Sequence, residues 1–176
     1  DEARWRQSNV APQRQAGFHH VTVTIPLGDL TAVQLRGLGH LAERYGNGVV
    51  RTTHGQNLLF RWIATEQLGS LYHDLRTLEL HRANRETIAD PSSCPGADSC
   101  KLAVTRSRGL GRLFADAFAD RPALIDKSGD LTIKISGCPN GCGLHHVAGL
   151  GFQGGLRKVD EGEKAFLNEV GLHVFD

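Results

Sequence analysis

A chain of 176 residues with 40% apolar side chains and 21 glycines is long enough to bury a core as one domain or two small ones, and its composition is not that of a disordered segment. Its 20 basic and 19 acidic side chains leave a formal net charge of +1, which gives no global field to gather nucleic acid or an anionic membrane, so any anion must be bound locally. No run approaches the roughly 18 apolar residues of a membrane span, and the opening Asp1-Glu2-Ala3-Arg4-Trp5-Arg6 lacks the apolar stretch of a secretory signal, so the expected compartment is the cytoplasm.

Residues 18–26 alternate apolar and polar with many β-branched side chains, which predicts a half-buried strand. Thr31 and Gln34 stand in the capping-box relation, and Leu35, Leu38, Leu41, Ala42 and Tyr45 recur at helical spacing until Gly46-Asn47-Gly48. An amphipathic helix is expected there. Residues 49–53 and 57–63 read as short strands around a His54-Gly55 bend. A second helix should be capped by Thr65 and bury Leu68, Leu71, Tyr72, Leu75 and Leu78. The order strand, helix, strand, strand, helix is most of a ferredoxin-like split βαβ unit. Beyond His81 the chain turns polar and Pro91 forbids a continuing helix, so a first domain is expected over residues 1–88 and a second over 89–158. The second region offers a cysteine loop, a helix over about residues 101–118, a strand over 131–135, another cysteine turn and a glycine-rich strand or loop over 149–155. Patterning fades in a tail over 159–176. With no methionine and an acidic first residue, the chain reads as a fragment whose active site extends upstream of Asp1.

Cys94 and Cys100 lie on one loop and Cys138 and Cys142 on another, with none left over. In a reducing compartment an even set of grouped cysteines is more often a metal or cluster site than a set of disulfides. Zinc is the sharper rival, yet its structural loops usually separate ligands by about two to four residues, and Cys94 and Cys100 are further apart. An iron-sulfur cube is larger than one ion and accepts wider, uneven spacing. Spacing alone leaves disulfides and zinc open. In Ser136-Gly137-Cys138-Pro139-Asn140-Gly141-Cys142-Gly143, Pro139 fixes φ, Asn140 and Gly141 tolerate left-handed turns, and Gly143 permits close backbone approach. Free amides in such a turn can donate to sulfur, which raises a cluster's reduction potential.

The segment Ser93-Cys94-Pro95-Gly96-Ala97-Asp98-Ser99-Cys100-Lys101-Leu102-Ala103, taken with the Ser136 to Gly143 run, resembles the paired cluster motifs of the siroheme-dependent sulfite and nitrite reductases. Asn9-Val10-Ala11-Pro12-Gln13 and Arg51-Thr52-Thr53-His54-Gly55-Gln56-Asn57 look like the second ferredoxin-like half-repeat of the same enzymes. The likeness covers roughly Trp5 to Lys158, and the tail from about Val159 departs from the family's pattern. The resemblance implies an α+β architecture in which a ferredoxin-like split βαβ half-repeat packs on an α/β domain that binds a 4Fe-4S cluster and siroheme. It implies that Cys94, Cys100, Cys138 and Cys142 hold the cluster, with Cys142 also bridging to the siroheme iron. It further implies a six-electron reduction of sulfite to sulfide or nitrite to ammonia, with ferredoxin or a flavoprotein as electron donor and a missing N-terminal half of the same enzyme as partner. No nucleic acid or membrane partner is expected.

Siroheme carries many carboxylates, which need Arg, Lys or backbone donors when buried. Arg51 is the first candidate, with Thr53, Gln56 and Asn57 beside it; Asn140 is a further donor, or simply a turn residue. Arg106, Arg108 and Arg112 follow Cys100 on the expected helix, where the plain reading is a solvated face and the alternative a cofactor or partner-docking role; Lys101 has similar standing. His145 and His146 stand close to the last cysteine and could tune a cluster or relay protons, against a structural reading that is also available to His54, His19 and His20. The family's substrate-binding arginines and lysines belong mainly outside this stretch, so no sulfite or nitrite ligand is named. Two other functions remain: a 4Fe-4S electron-transfer or binding module without catalysis, and a structural zinc protein.

Overall fold

The computed structural model describes residues 1–159 and 162–172. The chain divides into two compact units, Asp1–Arg85 and Glu86–Asp176.

The first unit begins with two elements that the sequence pattern does not announce. Helix α1 (Glu2–Asn9) is polar on most of its surface and buries only Trp5 and Asn9, so no apolar stripe marks it. Strand β1 (Val10–Pro12) is three residues long. Next come β2 (Phe18–Val23), α2 (Ala32–Tyr45), β3 (Val50–Thr52), β4 (Leu58–Ala64) and α3 (Leu68–Thr77). The sheet order is β1-β2-β4-β3. β4 is antiparallel to both β2 and β3, so β2 and β3 run the same way with β4 between them: the split βαβ arrangement.

Thr31 caps α2 as its sequence suggests. Its side chain accepts from the Gln34 N–H at 3.2 Å, and the Gln34 side chain answers on the Thr31 N–H at 3.0 Å. Leu38, Leu41, Ala42 and Tyr45 are buried, but Leu35 remains 59% exposed. Thr65 does not cap α3. Its N–H and hydroxyl both go to the Gly17 carbonyl, at 3.0 and 3.1 Å, and the helix starts at Leu68 after a single 3₁₀ turn. The core joins Trp5, Val21, Phe60, Ile63, Leu71, Tyr72 and Leu75, among others. β4 carries an extra residue against β2, between the pairs His19↔Ile63 and Val21↔Phe60. Trp62 sits there with φ 64, and its N–H donates to Gln13 Oε1 at 2.8 Å, as expected where a bulge frees an amide from the ladder.

The second unit comprises β5 (Ser92–Ser93), α4 (Ser107–Ala119), α5 (Pro122–Lys127), β6 (Ile133–Ser136), β7 (Leu150–Val159) and β8 (Gly162–Leu172). The sheet order is β5-β6-β7-β8, parallel from β5 to β7 and antiparallel between β7 and β8. The helix expected from Lys101 begins only at Ser107, because the preceding residues form hydrogen bonds to the cysteine turns instead. Much of the tail pairs with β7 as β8; residues 160–161 and 173–176 lie outside those described. Among the described residues no helix is long and apolar enough to cross a membrane.

Candidate functional site

Neighbouring strands of a parallel pair end at the same edge of their sheet, and ligand sites in open α/β sheets gather at the carboxyl ends of strands. β5 ends at Ser93 and β6 at Ser136, with Ser93 opposite Ile135. The first cysteine loop leaves β5 and the second leaves β6, so they start about one strand spacing apart, roughly 4.8 Å. The ladder runs one step further, the Cys94 N–H donating to the Ile135 carbonyl at 3.0 Å.

From there the loops are tied to each other. The Gly137 N–H donates to Cys94 Sγ at 3.1 Å. The Gly137 carbonyl accepts from the N–H groups of Val104 and Thr105 at 3.0 and 3.2 Å, and from the Thr105 hydroxyl at 3.1 Å. The Ala97 N–H reaches the Thr105 carbonyl and the Cys100 N–H the Gly96 carbonyl, both at 2.9 Å. The stretch from Cys94 to Thr105 is thereby folded back over Gly137. A Cβ on Gly137 would lie 3.0 Å from Gly96 Cα, so the two backbones meet where a side chain does not fit.

Cys142 is brought to the same place by its neighbour. The Gly143 N–H donates to Ser136 Oγ at 3.1 Å, and a Cβ on Gly143 would overlap the Ile135 carbonyl, the same group that the Cys94 N–H uses. Ser136 Oγ also faces Nδ1 of the buried His145 at 2.8 Å. Burial pulls the His145 pKa below that of an ordinary imidazole, the neighbouring His146 adds to this, and a hydrogen bond with Gln153 opposes it. Cys94 and Cys138 are buried, Cys100 is half-buried and Cys142 exposed, and none of the four is paired in a disulfide.

Among the described residues no three or more His, Cys, Asp or Glu side chains are grouped so as to hold a metal ion. A zinc site takes four thiolates on one ion at about 2.3 Å. A cube asks for four thiolates spread around a larger body. The donor chemistry suits that: four cysteines on two loops in contact, with an amide hydrogen directed at Cys94 Sγ.

The sequence candidates outside the cysteines fall in different places. Arg51 is exposed on β3. Thr53, Gln56 and Asn57 make the β3–β4 turn, in which the Thr53 N–H donates to the Asn57 carbonyl at 2.9 Å and the Gln56 N–H to the Thr53 carbonyl at 3.1 Å. Asn57 is 1% exposed, its Oδ1 accepts from the Ile25 N–H at 2.7 Å and its N–H donates to Thr53 Oγ1 at 3.1 Å, which gives it a local task. All four stand in the first unit. Asn140 is exposed between Cys138 and Cys142, His146 is exposed, and Lys101 is exposed on a turn. Arg106 is exposed, with Nε 3.8 Å from Asp98 Oδ1; Arg108 is half-buried and Arg112 exposed on α4. His54 is exposed, and His19 and His20 are half-buried on β2.

Several buried polar residues were not among the candidates. Asn9 is fully buried, its Nδ2 donating to the carbonyls of Thr22 and Arg82 at 2.8 and 3.1 Å. Thr105, Ser107 and Ser136 are buried beside the cysteine loops. Ser136 opens the second cysteine motif, whereas the only sequence signal at Thr105 and Ser107 is small polar residues near glycines, which many turns share.

Solved structures share this fold. The NirA protein of Mycobacterium tuberculosis superposes with a TM-score of 0.74 at 24% identity, over 92% of this chain and 30% of that one. Residues 11–78 match the nitrite/sulfite reductase ferredoxin-like half domain. The chain is 32% identical over 162 residues to ferredoxin–nitrite reductase of Synechococcus elongatus, covering 90% of this chain and 31% of that protein. It is 33% identical over 133 residues to the alpha subunit of dissimilatory-type sulfite reductase of Allochromatium vinosum, covering 71% of this chain and 31% of that one. The chain belongs to the sulfite/nitrite reductase family, an oxidoreductase family, and spans less than a third of the length of these relatives.

Proposed function

We propose that this chain is the cluster-carrying part of a siroheme-dependent reductase that takes sulfite to sulfide or nitrite to ammonia in a six-electron reduction. Cys94, Cys100, Cys138 and Cys142 hold a 4Fe-4S cluster in this reading, and Cys142, the exposed one, is the thiolate shared with the siroheme iron. The observation that carries it is the meeting of the two cysteine loops, with the Gly137 N–H on Cys94 Sγ and Gly96 against Gly137. When bound, the two cofactors supply single-electron transfer to a substrate held at iron.

The chain's own residues perform the supporting tasks. Burial of Cys94 and Cys138 keeps water from two of the sulfurs, the Gly137 amide offsets negative charge on one of them, and Cys142 stays open toward a second group. Arg51, Thr53, Gln56 and Asn140 are the proposed donors to siroheme carboxylates; Asn57 contributes by holding their turn. The electron donor is ferredoxin, as the relatives' names suggest, or a flavoprotein. The remainder of the reductase, beyond the 31% that this chain matches, completes the siroheme cavity and supplies the substrate ligands. The working compartment is the cytoplasm.

Anaerobic reconstitution with ferrous iron and sulfide tests the reading. The chain should become brown and take up about four iron and four sulfide, and serine at any of the four cysteine positions should abolish or strongly reduce uptake. Added siroheme should give bands in the red and near ultraviolet, while the chain alone should not sustain sulfide or ammonia production from a dye donor. A brown sample that never acquires those bands favours an electron-transfer module. A colourless chain that binds one zinc for its four thiols would sink the cluster assignment.

A further inference from the structure

Ser107 opens α4 and is fully buried. Its hydroxyl has one hydrogen and faces two acceptors on one residue: the Cys94 carbonyl at 2.9 Å and Cys94 Sγ at 3.4 Å. The placement is built into the loop. Gly96 has φ +63, and a Cβ there would overlap the Ser107 hydroxyl and lie 2.8 Å from its amide nitrogen, so the serine stands where it does only because residue 96 has no side chain. The same sulfur already accepts the Gly137 N–H at 3.1 Å.

Which acceptor takes the hydroxyl hydrogen depends on the state of the sulfur. A thiol carries its own hydrogen and is a weak acceptor, whereas a thiolate has none and attracts donors, with charge-assisted bonds roughly twice as strong as neutral ones. α4 also begins at this residue, and the partial positive charge of a helix N-terminus favours an anion beside it.

We propose that Ser107 is a positioning residue acting through Cys94: with Cys94 Sγ bound to the cluster, the Ser107 hydroxyl donates to that sulfur rather than to the Cys94 carbonyl. The sulfur then has two donors, Ser107 and the Gly137 amide. Donors to a ligand sulfur stabilise the more negative state of a cluster, so Ser107 makes the bound cluster easier to reduce. The redox consequence rests on the cluster reading above; the contact between hydroxyl and sulfur rests on geometry alone.

The test compares wild type, Ser107→Ala and Ser107→Thr after anaerobic reconstitution, with the reduction potential followed by electron paramagnetic resonance. Ser107→Ala should make the potential more negative, lowering the equilibrium constant for reduction by up to about tenfold, which corresponds to 59 mV for one electron. Ser107→Thr, which keeps the hydroxyl, should restore most of the wild-type value. A fully loaded Ser107→Ala chain whose potential equals that of wild type overturns the proposal and leaves the hydroxyl a fixed cap on the Cys94 carbonyl. Should Ser107→Ala fail to load, the S–H stretch in the infrared spectrum of the cluster-free chain decides. In the thiol the Cys94 S–H can itself donate to Ser107 Oγ, so the band that disappears in Cys94→Ser must shift in Ser107→Ala, and an unmoved band refutes the contact and the proposal with it. Should wild type itself take up no iron and sulfide, the cluster reading fails, while the infrared comparison still judges the contact.

Discussion

The two units hold themselves together in different ways. The first packs aromatic and aliphatic side chains around Trp5, Phe60, Leu71 and Tyr72. In the second, the described core is a small set of Ile88, Ala89, Ile125, Ile133 and Ile135, and the cysteine loops close by backbone against backbone, through Gly96, Gly137 and Gly143. A side-chain core loses stability in proportion to the volume removed, whereas a backbone contact is broken by adding one carbon atom. The units also carry separate reporters. Trp5 and Trp62 are the chain's two tryptophans and lie in the first, while its four cysteines lie in the second.

The largest effect is expected from Phe60→Ala. Phe60 is 1% exposed and stands opposite Val21 on one side and Val50 on the other. Removing its ring should destabilise the first unit by about 4 kcal/mol, read as a lower urea midpoint in tryptophan fluorescence. Labelling of Cys94 and Cys138 under native conditions should be unchanged. Gly143→Ala should do the reverse. The added methyl group collides with the Ile135 carbonyl, for a cost of about 3 kcal/mol, which corresponds to roughly hundredfold faster labelling of the buried thiols through local opening. Its tryptophan midpoint should stay at the wild-type value. If both reporters moved together in either variant, the contrast between the units would be wrong.

A smaller effect separates a structural role from a cofactor role at one residue. Asn57→Ala leaves the buried Ile25 N–H without the acceptor it now has at 2.7 Å, for about 2 kcal/mol in the tryptophan midpoint. Arg51→Ala, on an exposed side chain of the adjoining strand, should leave that midpoint where it is and act only on siroheme binding. Equal losses from the two variants would place Arg51 in the framework.

These cases show what a sequence carries. The helix from Ala32 to Tyr45 was legible because its cap, its apolar period and its glycine stop agree, and the cysteine pairs because rare residues grouped on loops are conspicuous. Leu35 shows the limit of periodicity: it has the right spacing yet remains 59% exposed, since the period names a face without saying how far the partner element reaches. Residues 101–106 read as helix by composition, but the amides of Val104 and Thr105 serve the Gly137 carbonyl, a tertiary demand with no local signature. The same reason hides Ser107 and Asn9, whose partners lie 13 or more residues away. β8 was hidden because a strand that pairs with its neighbour through backbone bonds needs no marked alternation in its own residues.

The smallest expected effect is one of pH, and it belongs to the first unit. His20 has its pKa pulled below the ordinary imidazole value by burial, then by Arg85 and His19; His81 is lowered by burial and by Arg76 and Arg82, with Glu79 opposing. A lowered value in the folded state means that the unfolded chain takes up protons which the folded one refuses. Their contribution is therefore fully present above about pH 6.5, the ordinary imidazole value, and is lost as pH falls through the folded values. The urea midpoint from tryptophan fluorescence should be level above about pH 6.5, fall as the pH drops below that, and flatten once both rings are protonated in the folded chain, until the carboxylates titrate. Both rings are only partly buried, so the slope should be shallow and shared, and replacing both by glutamine should remove most of it. A slope that survives the double replacement would move the pH sensitivity of this unit to other groups. A slope that appears in thiol labelling but not in fluorescence would assign it to the second unit, where His145 stands under the cysteine turn.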